Sequence, residues 1–339
     1  MICLDYDDVL ITPKPSAYPI TRADVNIEIR TKWLKRHTVP LVIANMPSTG
    51  TYKIAKILSK ERIVTFIHKE YSVEEHLRNL MDPKIDLTYL GITSGVREED
   101  LWKTAKVLDK VEPAYINIDI ANVYANMQGM ANAISFYKNH FDCEIVVGNI
   151  ATTAILDELV EAGAHWIKIG VGPGAACKTR SEVGVGVPQF HAVREISKRA
   201  KELGVKTIAD GGCVTSGDVC KAIAAGADMV MIAGMVSKSE ECDNIVEIDG
   251  KKYVNFYGLG STKQYNKHGI SDKEYRPNEG RDLLIPCSGS ILDVTNQIKG
   301  ALRSVCTYVG VDDIKDLHAN AEFIHVNHQI NRSLEKYEI

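Results

Sequence analysis

Eight short runs of apolar, largely β-branched residues recur along the chain, about twenty to forty residues apart. They are Leu41–Ala44, Ile63–Ile67, Leu87–Ile92, Tyr115–Ile120, Glu144–Val147, Trp166–Ile169, Lys206–Ala209 and Met229–Ile232. Each is nearly continuous in apolarity, so each reads as a strand covered on both faces. Segments of helical spacing lie between them. Ile54, Ile57 and Leu58 fall on one helical face, as do Leu101, Ala105 and Leu108, and again Ile155, Leu156, Leu159 and Val160. Ser72 and Glu75 have capping-box spacing ahead of Leu77 and Leu80. Glu161-Ala162-Gly163-Ala164 precedes the sixth run and Ala224-Ala225-Gly226-Ala227 the eighth, each with a Gly placed to end a helix. Eight strands alternating with helices predict an α/β fold, the closed (β/α)8 barrel. A doubly wound open sheet is the alternative.

Two segments fall outside this count. Residues 1–39 form an N-terminal extension, and residues 245–290 follow the eighth strand. The latter open with alternating Ile245–Glu247 and Tyr253–Phe256 around Asp249-Gly250, which predicts a β-hairpin. Tyr265–Arg281 is polar and poor in apolar residues, and reads as a mobile flap within about 258–285. Ile291, Val294, Ile298, Leu302 and Val305 predict a closing helix. No second domain interrupts the pattern, so residues 1–339 are expected to form a single barrel domain.

Composition narrows the function classes. A chain of 339 residues, 45% hydrophobic and 25% charged, can bury a full core. Its 40 Lys and Arg against 44 Asp and Glu give a net charge of −4, without the basic excess of a nucleic-acid binder. No apolar stretch approaches the ~18–20 residues that span a bilayer. The N-terminus, Met1-Ile2-Cys3-Leu4-Asp5, carries acid where a signal peptide needs positive charge, so a soluble, cytoplasmic protein is expected. None of the eight cysteines is paired as CxxC, which argues against a zinc ribbon or a thioredoxin-like centre.

In such a barrel, chemistry sits at the C-terminal ends of the strands. After the sixth strand comes Gly170-Val171-Gly172-Pro173-Gly174-Ala175-Ala176-Cys177-Lys178-Thr179-Arg180. Its glycines leave backbone groups open to a ligand, its carbonyls suit a hard cation, and Cys177 stands beside hydroxyl and basic groups as a candidate nucleophile. After the seventh strand comes Asp210-Gly211-Gly212, and after the eighth Ala233-Gly234-Met235. Amides at these two places form the recurrent phosphate site of the fold. No GxGxxG or P-loop pattern and no metal-binding His spacing occurs. Together these features describe a phosphate ester held near a nucleophile.

The loop Gly172–Thr179 resembles the catalytic Cys loop shared by IMP dehydrogenases and GMP reductases. So do Asp210-Gly211-Gly212, Ala44-Asn45-Met46, Ile67-His68-Lys69 and Asp7-Asp8-Val9-Leu10, and the resemblance covers about residues 5–326. Three features point to the reductase branch. No pair of CBS modules is inserted; the flap has Tyr275-Arg276 beside Glu279-Gly280, not the water-activating Arg-Tyr pair; and Leu302–Gly310 is similar to the reductase version of that helix end. The resemblance implies NADPH-dependent deamination of GMP to IMP in purine interconversion, with Cys177 as nucleophile and Thr179 and Glu279 handling the proton. It implies substrate contacts from Asp210, Gly211, Gly212, Ala233, Gly234, Gly258, Leu259, Gly260, Arg276, Pro277, Asn278, Glu279 and Gly280. Cofactor contacts would come from Thr21, Arg22, Lys69, Asp119, Ile120, Ala121, Val171, Gly172, Tyr275 and Tyr308, with Arg22 or Tyr308 supplied by a neighbouring subunit of a homotetramer. Potassium would be held around Gly172, Gly174, Cys177 and Arg180. An IMP-oxidising dehydrogenase and a catalytically weak nucleotide-binding regulator are the alternatives.

Overall fold

The computed structural model describes residues 2–30, 37–258 and 279–327. A short strand, β1 (Val9–Ile11), precedes the barrel strands β2 (Leu41–Ile43), β3 (Val64–Ile67), β4 (Leu90–Ser94), β5 (Tyr115–Asp119), β6 (Glu144–Ile150), β7 (Trp166–Ile169), β8 (Lys206–Asp210) and β9 (Met229–Ile232). These eight pair in parallel, each with the next, and β2 closes against β9. The helices α1 (Tyr52–Leu58), α2 (Val73–Leu80), α3 (Glu98–Leu108), α4 (Met127–His140), α5 (Leu156–Ala162), α6 (Thr179–Glu182), α7 (Gln189–Glu202) and α8 (Ser216–Ala224) lie between successive strands. The (β/α)8 barrel expected from the apolar runs is therefore the fold.

Local sequence accounts for most element ends. The Ser72 hydroxyl caps α2, and the Glu75 carboxylate returns to the Ser72 N–H. Gly163, at φ +113°, ends α5 in the left-handed conformation that favours glycine. One expected strand shifts. Leu87–Tyr89 is a 3-10 turn, because the Asp86 carboxylate takes the Thr88 N–H, and β4 starts only at Leu90.

Strand alternation sorts the core into two layers. Val42, Phe66, Tyr115, Val146, Trp166, Ile208, Met229 and Met231 fill the barrel interior, while Leu41, Ile43, Ile67, Ile92, Ile116 and Ile167 face the helices. The last long helix, Ile291–Val309, buries Ile291, Thr295, Ile298, Leu302, Cys306 and Val309, a stripe of helical period.

After the barrel, β10 (Ile245–Ile248) and β11 (Lys251–Tyr257) form the expected hairpin, with Asp249 at φ +51° and Gly250 at φ +74° as its turn. A third strand, β12 (Asp282–Pro286), pairs antiparallel with β11. The C-terminal end of the expected flap is thus sheet, since Leu283 to Ile285 find partners in Val254 to Phe256. The rest of that flap, residues 259–278, lies outside the described residues. A strand β13 (Phe323–His325) pairs with β1 and ties the two ends of the chain together. No helix among the described residues is long and apolar enough to cross a membrane.

Candidate active site

The top layer of the barrel interior is polar. Tyr115 and Trp166 face inward, so residues an even number further along the same strands, Asp119 and Lys168, face inward too; Asp210 stands likewise above Ile208. Asp119 pairs across the sheet with Gly148, and Gly148 with Lys168. A Cβ at Gly148 would lie 2.6 Å from that of Lys168, so the missing side chain leaves room for Asp119 and Lys168 to meet. The Lys168 ammonium lies 3.0 Å from Asp119 Oδ1 and 3.8 Å from Asp210 Oδ2. The Asn45 amide donates to Asp119 Oδ2 at 2.7 Å, and the Asn149 amide to Asp210 Oδ2 at 2.8 Å. Burial works to raise the Asp119 carboxyl, but Lys168, the Asn45 hydrogen bond and the Lys69 charge outweigh it and hold the group below the usual range. For Asp210 burial wins over Lys168 and Asn149, and its carboxyl is raised.

The Cys177 loop leaves β7 over this layer. The Cys177 thiol donates to Thr179 Oγ1 at 3.2 Å, and the Thr179 hydroxyl donates to Glu279 Oε2 at 2.6 Å. Glu279 reaches the loop because β12 continues backwards into it. Arg281 N donates to Ala176 O at 2.9 Å, Lys178 N donates to Glu279 O at 2.7 Å, and Cys177 and Gly280 form an antiparallel bridge. The end of β11 joins them through Gly258 N to Arg281 O at 3.0 Å. A Cβ at Gly258 would come within 2.6 Å of the Ala176 carbonyl oxygen, so only glycine allows this approach. Such a chain, thiol to hydroxyl to carboxylate, can move the thiol proton away from sulfur and return it elsewhere.

Two glycine-containing turns face the same mouth. Gly211 and Gly212 have φ of +88° and +83°, and a Cβ on Gly211 would meet the Gly174 backbone at 3.0 Å. Ala233 precedes a 3-10 turn that starts at Gly234, and a Cβ on Gly234 would touch Ala175 at 3.2 Å. The Gly211 turn and the Gly234 turn therefore both pack against the Cys177 loop. Just ahead of α8, Asp218 Oδ2 accepts the N–H groups of Val214 and Thr215.

Residues 3–333 match the family model described as the IMP dehydrogenase / GMP reductase domain. The chain belongs to the IMP dehydrogenase / GMP reductase family. It is 38% identical over 346 residues to a GMP reductase of Onchocerca volvulus, covering 99% of this chain and 94% of that protein. It is 36% identical to a GMP reductase of Ascaris suum, over 99% of this chain and 96% of that protein. A GMP reductase of Escherichia coli O157:H7 is 38% identical over 97% of this chain and 96% of its own length.

The other residues that the family resemblance pointed to are distributed as follows. Lys69 follows β3, and its carbonyl accepts the Lys103 ammonium at 2.8 Å. Ile120 and Ala121 follow Asp119 at the end of β5, and Val171 and Gly172 (φ +90°) begin the Cys177 loop. Thr21, Arg22 and Tyr308 form a group of their own. Thr21 bonds Asp24, Arg22 Nε donates to Ser304 at 2.8 Å on the helix that carries Tyr308, and Tyr308 is exposed. Leu259, Gly260, Tyr275, Arg276, Pro277 and Asn278 lie outside the described residues.

The expected potassium ligands are tested by their chemistry. The carbonyls of Gly172, Gly174 and Cys177 are neutral hard donors of the kind a monovalent cation takes, and Gly174 O keeps a lone pair beyond the one used by Cys177 N at 2.9 Å. The Arg180 guanidinium is committed to Asp5 Oδ2 at 2.8 Å and Val187 O at 2.6 Å, so only its backbone could face a cation. No cluster of three or more His, Cys, Asp or Glu residues suited to a metal occurs among the described residues.

Sequence reasoning missed Lys168, Asn149 and Asn45 as site residues, and Asp5 as the anchor of Arg180. A signal for Lys168 existed: a lysine inside Trp166-Ile167-Lys168-Ile169 cannot be covered on both faces without a carboxylate partner. Asn149 in Val147-Gly148-Asn149-Ile150 carries a weaker signal of the same kind.

Proposed function

We propose that this chain catalyses NADPH-dependent reductive deamination of GMP to IMP and ammonia. The observation that carries the reading is the hydrogen-bonded chain from Cys177 through Thr179 to Glu279. The thiol proton passes through the Thr179 hydroxyl to Glu279, and the sulfur forms a bond to C2 of the guanine ring. The proton returns along the same chain to the 2-amino group, which leaves as ammonia, and C2 stays bound to Cys177 as a thioimidate. NADPH, when bound, supplies the hydride to C2. Collapse of the resulting adduct breaks the C–S bond and frees IMP and the thiolate. Net, GMP, NADPH and one proton become IMP, ammonia and NADP.

In this reading the amides of Gly211, Gly212 and Gly234 hold the phosphate, and Asp210 accepts the ribose hydroxyls. Gly258, Glu279 and Gly280 contact the substrate, with Arg276, Pro277 and Asn278 added by the family resemblance. Asp119, Lys69, Ala121 and Gly172 hold the cofactor, with Arg22 or Tyr308 coming from a neighbouring subunit of a cytoplasmic homotetramer. The carbonyls of Gly172, Gly174 and Cys177 hold potassium and stiffen the Cys177 loop.

Nicotinamide absorbance tests the proposal, with GMP and NADPH in one assay and IMP and NAD in another. Loss of NADPH matched by IMP and ammonia is expected. NADH formation only in the second assay would assign the dehydrogenase reaction, and silence in both from protein that binds GMP would leave a nucleotide-binding protein.

A further inference from the structure

We propose that Lys168 is a positioning residue that sets the two ligand-binding carboxylates, Asp119 and Asp210, against each other through one buried ammonium. The proposal rests on the function above, which puts Asp119 on the cofactor and Asp210 on the nucleotide. Lys168 is 1% exposed, while the two carboxylate side chains keep 17% and 23% exposure toward the barrel mouth. With Trp166 below it on the same inward face, the ammonium has only the acceptors beside it. An ammonium buried in this way must be satisfied by protein groups, and its position fixes theirs.

Each carboxylate has an amide and the shared ammonium on its inner side. Asp119 takes Asn45 on Oδ2 and a Lys168 hydrogen bond on Oδ1 at 3.0 Å, whereas Asp210 Oδ2 takes Asn149 and lies 3.8 Å from the ammonium, an ion-pair contact. The remaining lone pairs are left for a ligand at the mouth. Lys69 acts on Asp119 from the end of β3, whereas at Asp210 Lys168 is the cation that opposes the burial raising its carboxyl. Without Lys168 the two carboxylates would face one another with only amides between them. Repulsion would turn one away or leave it protonated, and neither ligand would find its acceptor in place. The Gly148 gap that lets Asp119 reach Lys168 thus serves binding at two sites.

The experiment measures kcat and both KM values for wild type, Lys168→Met and Lys168→Arg. Lys168→Met is expected to raise the KM of GMP and of NADPH together, each by about tenfold or more, with a smaller change in kcat. Lys168→Arg, which keeps the charge, is expected to restore both. A rise in only one KM, a fall in kcat at unchanged KM values, or no rescue by arginine would overturn the proposal. If Lys168→Met does not fold, calorimetric binding of GMP alone to Asp119→Asn decides. A shift of about threefold or more in GMP affinity, from a residue on the cofactor side, supports the link, and an unchanged affinity overturns it. A wild-type protein that neither binds nor turns over GMP overturns the functional reading itself, and this proposal with it.

Discussion

The Thr179 hydroxyl donates to the Glu279 carboxylate at 2.6 Å, joining residues 100 positions apart in the chain. The same hydroxyl oxygen accepts the Cys177 thiol at 3.2 Å, so Thr179 is the middle of a three-member relay. Thr179→Val and Glu279→Gln should each lower kcat by about 10²–10⁴-fold with little change in the KM of GMP. Because both act on one proton path, the double variant should be scarcely slower than either single one. Steady-state kinetics of the four proteins check this; additive losses would show separate roles.

Cys177→Ala removes the proposed nucleophile and leaves Asp210, Gly211, Gly212 and Gly234, the proposed phosphate and ribose contacts, unchanged. NADPH oxidation should fall by several orders of magnitude. GMP affinity, measured by calorimetry, should change by less than about tenfold. Retention of turnover in this variant would remove covalent catalysis from the mechanism.

Gly258 is where β11 passes closest to the Cys177 loop, and a Cβ there would sit 2.6 Å from the Ala176 carbonyl oxygen. That contact is with backbone, so Gly258→Ala must push the loop and the Glu279 segment apart. The expected cost is about 1–3 kcal/mol of stability and a loss in kcat larger than that loss of stability explains. Thermal melts beside kinetics separate the two; an unaltered kcat would mean that the pairing of Arg281 with Ala176 does not place Glu279.

His76 is buried, and its Nδ1 shares a hydrogen bond with the Tyr52 hydroxyl at 2.5 Å. Burial, with Lys103 and His68 adding to it, lowers the imidazole from 6.5 to about 4. Between those values the unfolded chain binds a proton that the folded one refuses. Stability should therefore fall as pH drops from 6.5 toward 4, by roughly 3 kcal/mol in total, and level off below that window. His76→Gln keeps a hydrogen-bond partner for Tyr52 in either direction and should remove this part of the slope. Urea unfolding of both proteins across the window measures it.

Exchange of potassium for a bulky organic cation should lower kcat reversibly, because a large ion cannot collect the carbonyls of Gly172, Gly174 and Cys177. Titrating potassium back and following NADPH oxidation tests this. A rate indifferent to the cation would take potassium out of the loop.

Much of this was already written in the order of residues along the chain. The eight apolar runs became β2 to β9 with their ends shifted by at most three residues, since a strand covered on both faces must be continuously apolar. Asp249-Gly250 formed its turn, because two positive φ angles in succession need that pair. The Cys177 loop and the glycines after β8 and β9 were legible for a similar local reason: the conformation or the chemistry belongs to a few adjacent residues.

Longer-range pairings were not legible. Nothing local marks β1 as the partner of β13, or β12 as the third strand that delivers Glu279 to Thr179. Lys168 is the clearest case. Its charge in an apolar strand announces a buried partner, but which partner depends on the barrel closing and on Gly148 leaving a gap toward Asp119. By itself the sequence determined the elements, the barrel and the Cys177 loop, because period, turn chemistry and residue type act over a few residues. The tertiary structure alone decided which charges meet and which carboxylate joins Cys177 through Thr179. Those contacts join positions tens of residues or more apart, and only the registers of the closed barrel and of the β10–β12 sheet bring them together.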